Sequence, residues 1–125
     1  MKEHKTLNGK FQVLKEHLAI EIGSGNMPVL GTPALIGFME NIASDLIQKD
    51  LTPDLSSVGV SIEMNHIKAS QLDDVIIIHA KITKRKNKTV CYKIEAFNEE
   101  NDLLGKAKHK RIIVNRKNFE AKVFK

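Results

Sequence analysis

Residues 32–49, Thr-Pro-Ala-Leu-Ile-Gly-Phe-Met-Glu-Asn-Ile-Ala-Ser-Asp-Leu-Ile-Gln-Lys, decide the fold. Leu35, Phe38, Met39, Ile42, Ala43, Leu46 and Ile47 recur at intervals of three and four, the spacing of one apolar stripe along a helix. Thr32-Pro33 is a start signal, because Thr can cap the free amides of a first turn and Pro at the first helical position forfeits no hydrogen bond. The spacing predicts a helix from Pro33 to Lys49, with its exit marked by Asp50 to Pro53.

Upstream, Leu14, Leu18, Ile20 and Ile22 suggest a strand over Phe11 to Ile22, broken by Gly23-Ser-Gly-Asn-Met-Pro. Gly23, Gly25 and Gly31 lack the Gly-Lys-Ser/Thr and dinucleotide spacings of a phosphate cradle, so this stretch reads as a loop. Downstream, strands are expected around Ser57 to Ile67, Val75 to Lys84, Thr89 to Asn98 and Leu103 to Asn115. Lys86-Asn-Lys and Asn98-Glu-Glu-Asn-Asp are short polar connections of the kind that join antiparallel neighbours. Residues 117–125 read as a short extension or a frayed helix. One long helix whose stripe must lie on an apolar sheet face gives an α+β domain of residues 1–125, with about five antiparallel strands wrapped around the helix. The open sheet edges of so small a layer lead us to expect a homodimer or higher homo-oligomer.

Composition narrows the function classes. Hydrophobic residues make up 42% of the chain and charged residues 28%, in the range of packed globular proteins. The charged start Met1-Lys-Glu-His-Lys does not resemble a secretory signal, and the apolar run Val75-Ile-Ile-Ile is far short of the roughly 20 residues of a membrane span. A cytoplasmic protein without membrane association is expected. Cys91, the only cysteine, excludes an internal disulfide and a cysteine-rich zinc site and is assigned to packing. His4, His17, His66, His79 and His109 lack ligand spacing, so no metal is expected; His79 and His109 are given structural or surface roles. The net charge of +5 is concentrated in Lys84-Arg-Lys-Asn-Lys88 and in the tail from Lys106, where eight Lys or Arg face one acid. That asymmetry favours an anionic partner. Nucleic acid is disfavoured as that partner, since the chain has no Trp, one Tyr, and no zinc-finger or RNA-recognition pattern.

Three polar residues interrupt the apolar pattern. Thr32 opens the helix, Glu40 lies two turns along at the margin of its stripe, and His66 ends a strand in which Val58, Val60, Ile62, Met64 and His66 share the expected buried face. Taken singly, each has an ordinary reading: a helix cap, a solvated surface acid, a satisfied core histidine. Together a hydroxyl, a carboxylate and an imidazole can perform acyl transfer.

Leu30-Gly-Thr-Pro-Ala-Leu-Ile-Gly-Phe-Met-Glu40 and Ser57-Val-Gly-Val-Ser-Ile-Glu-Met-Asn-His66 resemble the fluoroacetyl-CoA thioesterase-like branch of the hotdog thioesterases, as do Lys108-His-Lys-Arg-Ile-Ile-Val and Asn118-Phe-Glu-Ala-Lys-Val. The resemblance implies a hotdog fold and hydrolysis of a small acyl-CoA thioester. In that branch a hydroxyl residue, a Glu eight positions on and a His twenty-six beyond the Glu form the catalytic set, which carries over to Thr32, Glu40 and His66. It further implies a site formed across a dimer, with coenzyme A as part of the substrate and no separate cofactor. Gly59 would admit the acyl group or add an amide, and Arg111 with the basic tail would meet the CoA phosphates. The fluoroacetyl-specific enzymes carry bulky aromatics before the Thr. No aromatic lies between Phe11 and Phe38 here, so fluoroacetyl preference is not carried over. The alternatives are a non-catalytic acyl-CoA-binding protein and a basic nucleic-acid binder; the Asp/His hydratase pattern of a hotdog dehydratase is not visible.

Overall fold

A computed structural model describes residues 5–125. Residues 1–4 of the charged start, His4 among them, lie outside the described residues. In chain order the elements are strand β1 (Thr6–Gln12), a 3-10 turn (Lys15–His17), short helix α1 (Ala19–Ile22), long helix α2 (Thr32–Gln48), strands β2 (Leu55–His66), β3 (Val75–Lys86), β4 (Thr89–Phe97) and β5 (Leu103–Asn115), and helix α3 (Arg116–Val123). The strands form one antiparallel sheet in the order β1-β3-β4-β5-β2. Helix α2 packs against β1, β2, β3 and β4. This is the expected α+β hotdog arrangement, a sheet curled around one long helix.

The core follows from two periodicities meeting. Leu35, Met39, Ala43, Leu46 and Ile47 of α2 are fully buried against Ile76, Ile78 and Ala80 of β3 and Val90, Ile94 and Ala96 of β4, the alternate residues of each strand. Tyr92 shares that inner face and donates its hydroxyl to the Ala43 carbonyl at 2.9 Å; burial pushes its pKa up to about 12, against the pull of Arg111 and Arg85. Helix α3 starts where Asn115 Oδ1 accepts from the Asn118 amide, a side-chain cap.

Two expectations need correction. The first strand is not Phe11 to Ile22: β1 runs Thr6–Gln12, and the ladder gives way after Val13, whose amide still reaches the Asp74 carbonyl. Leu14 N–H then donates to His17 Nδ1, closing the 3-10 turn, and Ala19–Ile22 coil into α1. The spacing of Leu14, Leu18, Ile20 and Ile22 imitated a strand, yet only Leu18 of the four is buried. Leu7 is the one large aliphatic residue before Phe11 in β1, and the strand is held by backbone pairing to β3 and by Gly9, where a Cβ would collide with Ile42 Cδ1.

The second correction concerns β2. Its pairing with β5 slips between Gly59 and Ser61, leaving Val60 as a bulge residue. Before the bulge, Ser57 and Gly59 pair with the inward residues Ile113 and Arg111; after it, Ile62, Met64 and His66 pair with His109, Ala107 and Gly105. Val58 and Val60 therefore leave the inward set, and Val60 is 48% exposed.

Leu46, fully buried at the centre of the α2 stripe, offers a direct test of this packing. Leu46→Ala should cost about 2–5 kcal/mol, read as a lower urea midpoint with an unchanged denaturant slope.

Candidate active site

Helix α2 begins one residue earlier than its start signal suggested. Gly31 is the extended N-cap residue and provides no side-chain cap, Thr32 is the first helical residue, and Pro33 the second. The Thr32 side chain does not cap its own helix as expected; its Oγ1 lies 2.9 Å from His66 Nδ1. Ala34 and Leu35 both donate to the Gly31 carbonyl, at 3.0 and 3.1 Å. Pro33 has no N–H, so the donor left over in this first turn is the Thr32 amide.

His66, at the end of β2, faces inward. Its Nε2 is buried without a hydrogen-bond partner, while Nδ1 meets Thr32. A polar nitrogen is costly to bury unless a hydrogen-bond partner reaches it. Burial lowers the His66 pKa below the ordinary imidazole value, partly offset by the backbone at Lys68. At neutral pH the ring is a free base.

Glu40 occupies a second cluster. Two turns beyond Thr32, about 12 Å along the helix axis, its carboxylate approaches Gly59, where a Cβ would lie 2.9 Å from Oε2, 3.2 Å from His109 Cε1 and 3.4 Å from Arg111 Nη1. Its charge acts on His109 and Arg111. Within one chain the structure thus joins Thr32 to His66 and Glu40 to Gly59, Arg111 and His109, as two groups rather than one triad.

Arg111 is buried, 7% exposed, and points inward rather than into solvent. Its Nε donates to Ser57 Oγ at 2.8 Å, Nη2 to the Ser57 carbonyl at 3.1 Å, and Nη1 to His109 Nε2 at 3.2 Å. His109 is itself 3% exposed, stacks on Tyr92 and reaches the Ser61 carbonyl through Nδ1 at 2.8 Å. Of the structural and surface roles that the sequence left open for it, His109 takes the structural one. The signal was present: Lys106, Lys108 and Lys110 alternate with Ala107, His109, Arg111 and Ile113, and that alternation places His109 on the inner face.

The lysines of that alternation line a shallow concavity of about 950 Å³ on the outer face of the sheet, together with Lys93, Thr83 and Ser61. Cys91 lies there too, half-buried, outside the apolar core. Lys86 closes β3 by pairing with Thr89, and Asn87 and Lys88 form the β3–β4 connection, with Asn87 in the left-handed region at φ 56°. Among the described residues no group of His, Cys, Asp and Glu is arranged to hold a metal, and no helix is long and apolar enough to cross a membrane.

A profile of the family described as FlK, fluoroacetyl-CoA-specific thioesterase, matches residues 13–117. The chain belongs to the FlK thioesterase family. Membership makes it a thioester hydrolase. No curated protein matches it by sequence. Among solved structures it is similar to the fluoroacetyl-CoA thioesterase FlK, at 20% identity and a TM-score of 0.89 over 98% of this chain and 95% of that one. A variant of FlK in complex with acetyl-CoA superposes with a TM-score of 0.90 at 19% identity, over 98% and 96% of the two chains. A thioesterase superfamily member from Thermus thermophilus gives 0.87 at 22% identity, over 96% and 88%. These likenesses show the hotdog fold of this FlK-family member.

Burial is the largest influence on both inward imidazoles and lowers both pKa values from 6.5, with Arg111 lowering His109 further and the Ser61 backbone and Glu40 opposing it. The folded chain therefore disfavours both imidazolium ions relative to the unfolded chain. Their contribution to stability is fully present above the unfolded value of about 6.5 and declines as the pH falls through it, because the unfolded chain then binds more protons. The urea midpoint should drop between about pH 7.5 and about pH 5.5, and replacing both His66 and His109 with Gln should shrink that drop.

Proposed function

We propose that this thioesterase hydrolyses a small acyl-CoA thioester, with Thr32, His66 and Glu40 as its catalytic residues. The observation that carries the reading is the 2.9 Å contact between Thr32 Oγ1 and His66 Nδ1, beside a buried Nε2 without a hydrogen-bond partner among the described residues. The thioester carbonyl sits at the start of α2, where the Thr32 amide and the positive end of the helix favour developing negative charge. His66 Nδ1 takes the Thr32 proton as Oγ1 attacks the carbonyl carbon. The C–S bond then breaks, the imidazolium returns the proton to the CoA thiolate, and water hydrolyses the acyl-Thr ester. The unpartnered Nε2 favours a second route, in which that nitrogen activates a water for direct attack while Thr32 orients the ring.

Glu40 enters from a second protomer. Strand β2 is a sheet edge, and pairing two such edges about a two-fold axis reverses one relative to the other. The partner subunit's Glu40, with the partner's Gly59 and the partner's Arg111, is thereby brought toward His66 and Thr32 of the first chain. There Glu40 stabilises the imidazolium or assists deacylation. Gly59, whose missing Cβ lets Glu40 Oε2, His109 Cε1 and Arg111 Nη1 approach the strand, lies against the acyl group. Solved relatives support the ligand class: a variant of FlK is in complex with acetyl-CoA, and a hypothetical thioesterase from Streptococcus pneumoniae is solved with coenzyme A.

The segment before Thr32 presents Ile20, Ile22 and Met27, exposed and aliphatic, in place of aromatic side chains. Ile22 presses on the helix start, its Cδ1 2.7 Å from where a Cβ on Gly31 would be. A short, apolar acyl group suits such a lid, and the lid supplies nothing aromatic to favour fluoroacetyl over acetyl.

Steady-state hydrolysis of a panel of short acyl-CoA thioesters, including acetyl-CoA and fluoroacetyl-CoA, tests the reading. Thr32→Ala, Glu40→Gln and His66→Ala should each lose roughly two or more orders of magnitude in kcat/KM. A wild type inactive on every thioester, or three variants with wild-type rates, would sink it. The shared site has its own test, remixing Glu40→Gln and His66→Ala protomers. Random exchange makes half the dimers mixed, each with one intact site, so about a quarter of wild-type activity should return; no recovery in dimers shown to have exchanged places the whole site within one chain.

A further inference from the structure

The bulge in β2 is braced from below by two side chains of β5. Arg111 holds Ser57, through both its hydroxyl and its carbonyl, on one side of Val60; His109 holds the Ser61 carbonyl on the other. Gly59, where Glu40 Oε2 and Arg111 Nη1 come close to the strand backbone, lies between the two anchor points.

The chemistry of these partners fixes the state of His109. A carbonyl oxygen only accepts, so Nδ1 carries the proton that meets Ser61. A guanidinium only donates, so Nε2 offers a lone pair to Arg111 Nη1. Both bonds exist together in one form alone, the neutral ring protonated at Nδ1. A second proton would set N–H against N–H at Nε2 and place two cations side by side at a buried site. Of the groups facing the ring, Arg111 on β5 opposes that cation and Glu40 on α2 favours it, while Tyr92 on β4 stacks on it as a neutral phenol and β2 contributes the Ser61 carbonyl.

We propose that His109 is a positioning residue for the thioesterase site: in its neutral form it aims the Arg111 guanidinium and holds the bulge that places Gly59, and its protonation releases both. Arg111 Nη1 spends one N–H on His109 and, like Glu40 Oε2, borders the backbone at Gly59. When the imidazole is protonated, Nη1 loses its acceptor and turns toward Glu40, and the carboxylate is drawn away from the reacting groups. The inference rests on the proposed reaction for its kinetic consequence, whereas the coupling of His109 to Arg111 stands independently of it.

Two histidines must then be neutral for turnover, His66 as base and His109 as positioner. On the acid side log kcat/KM should fall with a slope approaching two per pH unit. His109→Gln provides an amide N–H for Ser61 and a carbonyl for Arg111 but does not titrate; its acid limb should have a slope of one. His109→Phe keeps the ring volume and removes both bonds, and should fall at least tenfold below His109→Gln in kcat/KM at neutral pH. In the wild type, ¹⁵N NMR of the histidine side chains should show His109 protonated at Nδ1 above its titration, with the Arg111 Nε–H resonance shifting as His109 takes up its proton. That spectrum needs no activity and no soluble Phe variant. An active wild type whose acid slope is unchanged by His109→Gln overturns the proposal, as does a His109 protonated at Nε2 or a titration that leaves Arg111 unmoved. A wild type inactive on all thioesters, with the NMR coupling present, overturns the assigned reaction and leaves the brace in place.

Discussion

Gly59 and His66 can face the same side of β2 only if the strand slips by one residue between them. Side chains alternate with a period of two, so positions seven apart point to opposite faces of a regular strand. Val60 supplies the slip. Without it, an inward His66 beside Thr32 would send Gly59 outward, and the space above Glu40 and Arg111 would be lined by different side chains. A bulge leaves peptide groups without their ladder partners, and such groups are costly where water is excluded. Here the neighbouring carbonyls of Ser57 and Ser61 take donors from Arg111 and His109. The polar pair in the inner face of β5 and the irregularity in β2 thus answer one another.

The same slip marks the limit of what could be read from the residues alone. An unbroken alternation over Val58, Val60, Ile62, Met64 and His66 placed the last three correctly and the first two on the wrong face. Bulges depend on the partner strand, and nothing local to residues 57–66 announces one beyond the glycine itself. By contrast α2 and the core of β3 to β5 were legible almost to the residue, because a stripe of seven apolar side chains and runs of alternating aliphatics admit few other packings. β1 was not, since an edge strand held by backbone pairing and a close-approaching glycine has almost no side-chain signature.

The site was legible in its positions more than in its local roles. Thr32 lies at the helix start as expected, but a hydroxyl within reach of an imidazole has a stronger partner than its own backbone amides, and Gly31 takes the N-cap position without a side chain. Glu40 lies at the margin of the apolar stripe as expected, but its neighbours are Arg111 and His109 instead of His66. Arg111 matched by position in the resemblance and was given to the CoA phosphates, whereas its guanidinium is buried and three of its donors are engaged within the chain. What separated expectation from structure was the face each side chain takes, a property of pairing rather than of spacing.

Burial of Arg111 also constrains Glu40. A guanidinium removed from water needs both hydrogen-bond acceptors and a compensating charge. Ser57 and neutral His109 supply the acceptors, and Glu40 supplies a negative charge that raises the pKa of Arg111 against its burial. The carboxylate therefore has two relationships: it balances Arg111 within its own chain, and in the proposed dimer it reaches toward an imidazolium that exists only during turnover. These are compatible because they differ in time. In the proposed reaction a neutral His66 would make no demand on Glu40, and the imidazolium formed on proton uptake would compete with Arg111 for the same charge. Ser57 and His109 take three of the Arg111 donors while Glu40 acts on the guanidinium through its charge, which in the proposed dimer leaves the carboxylate available to a second cation.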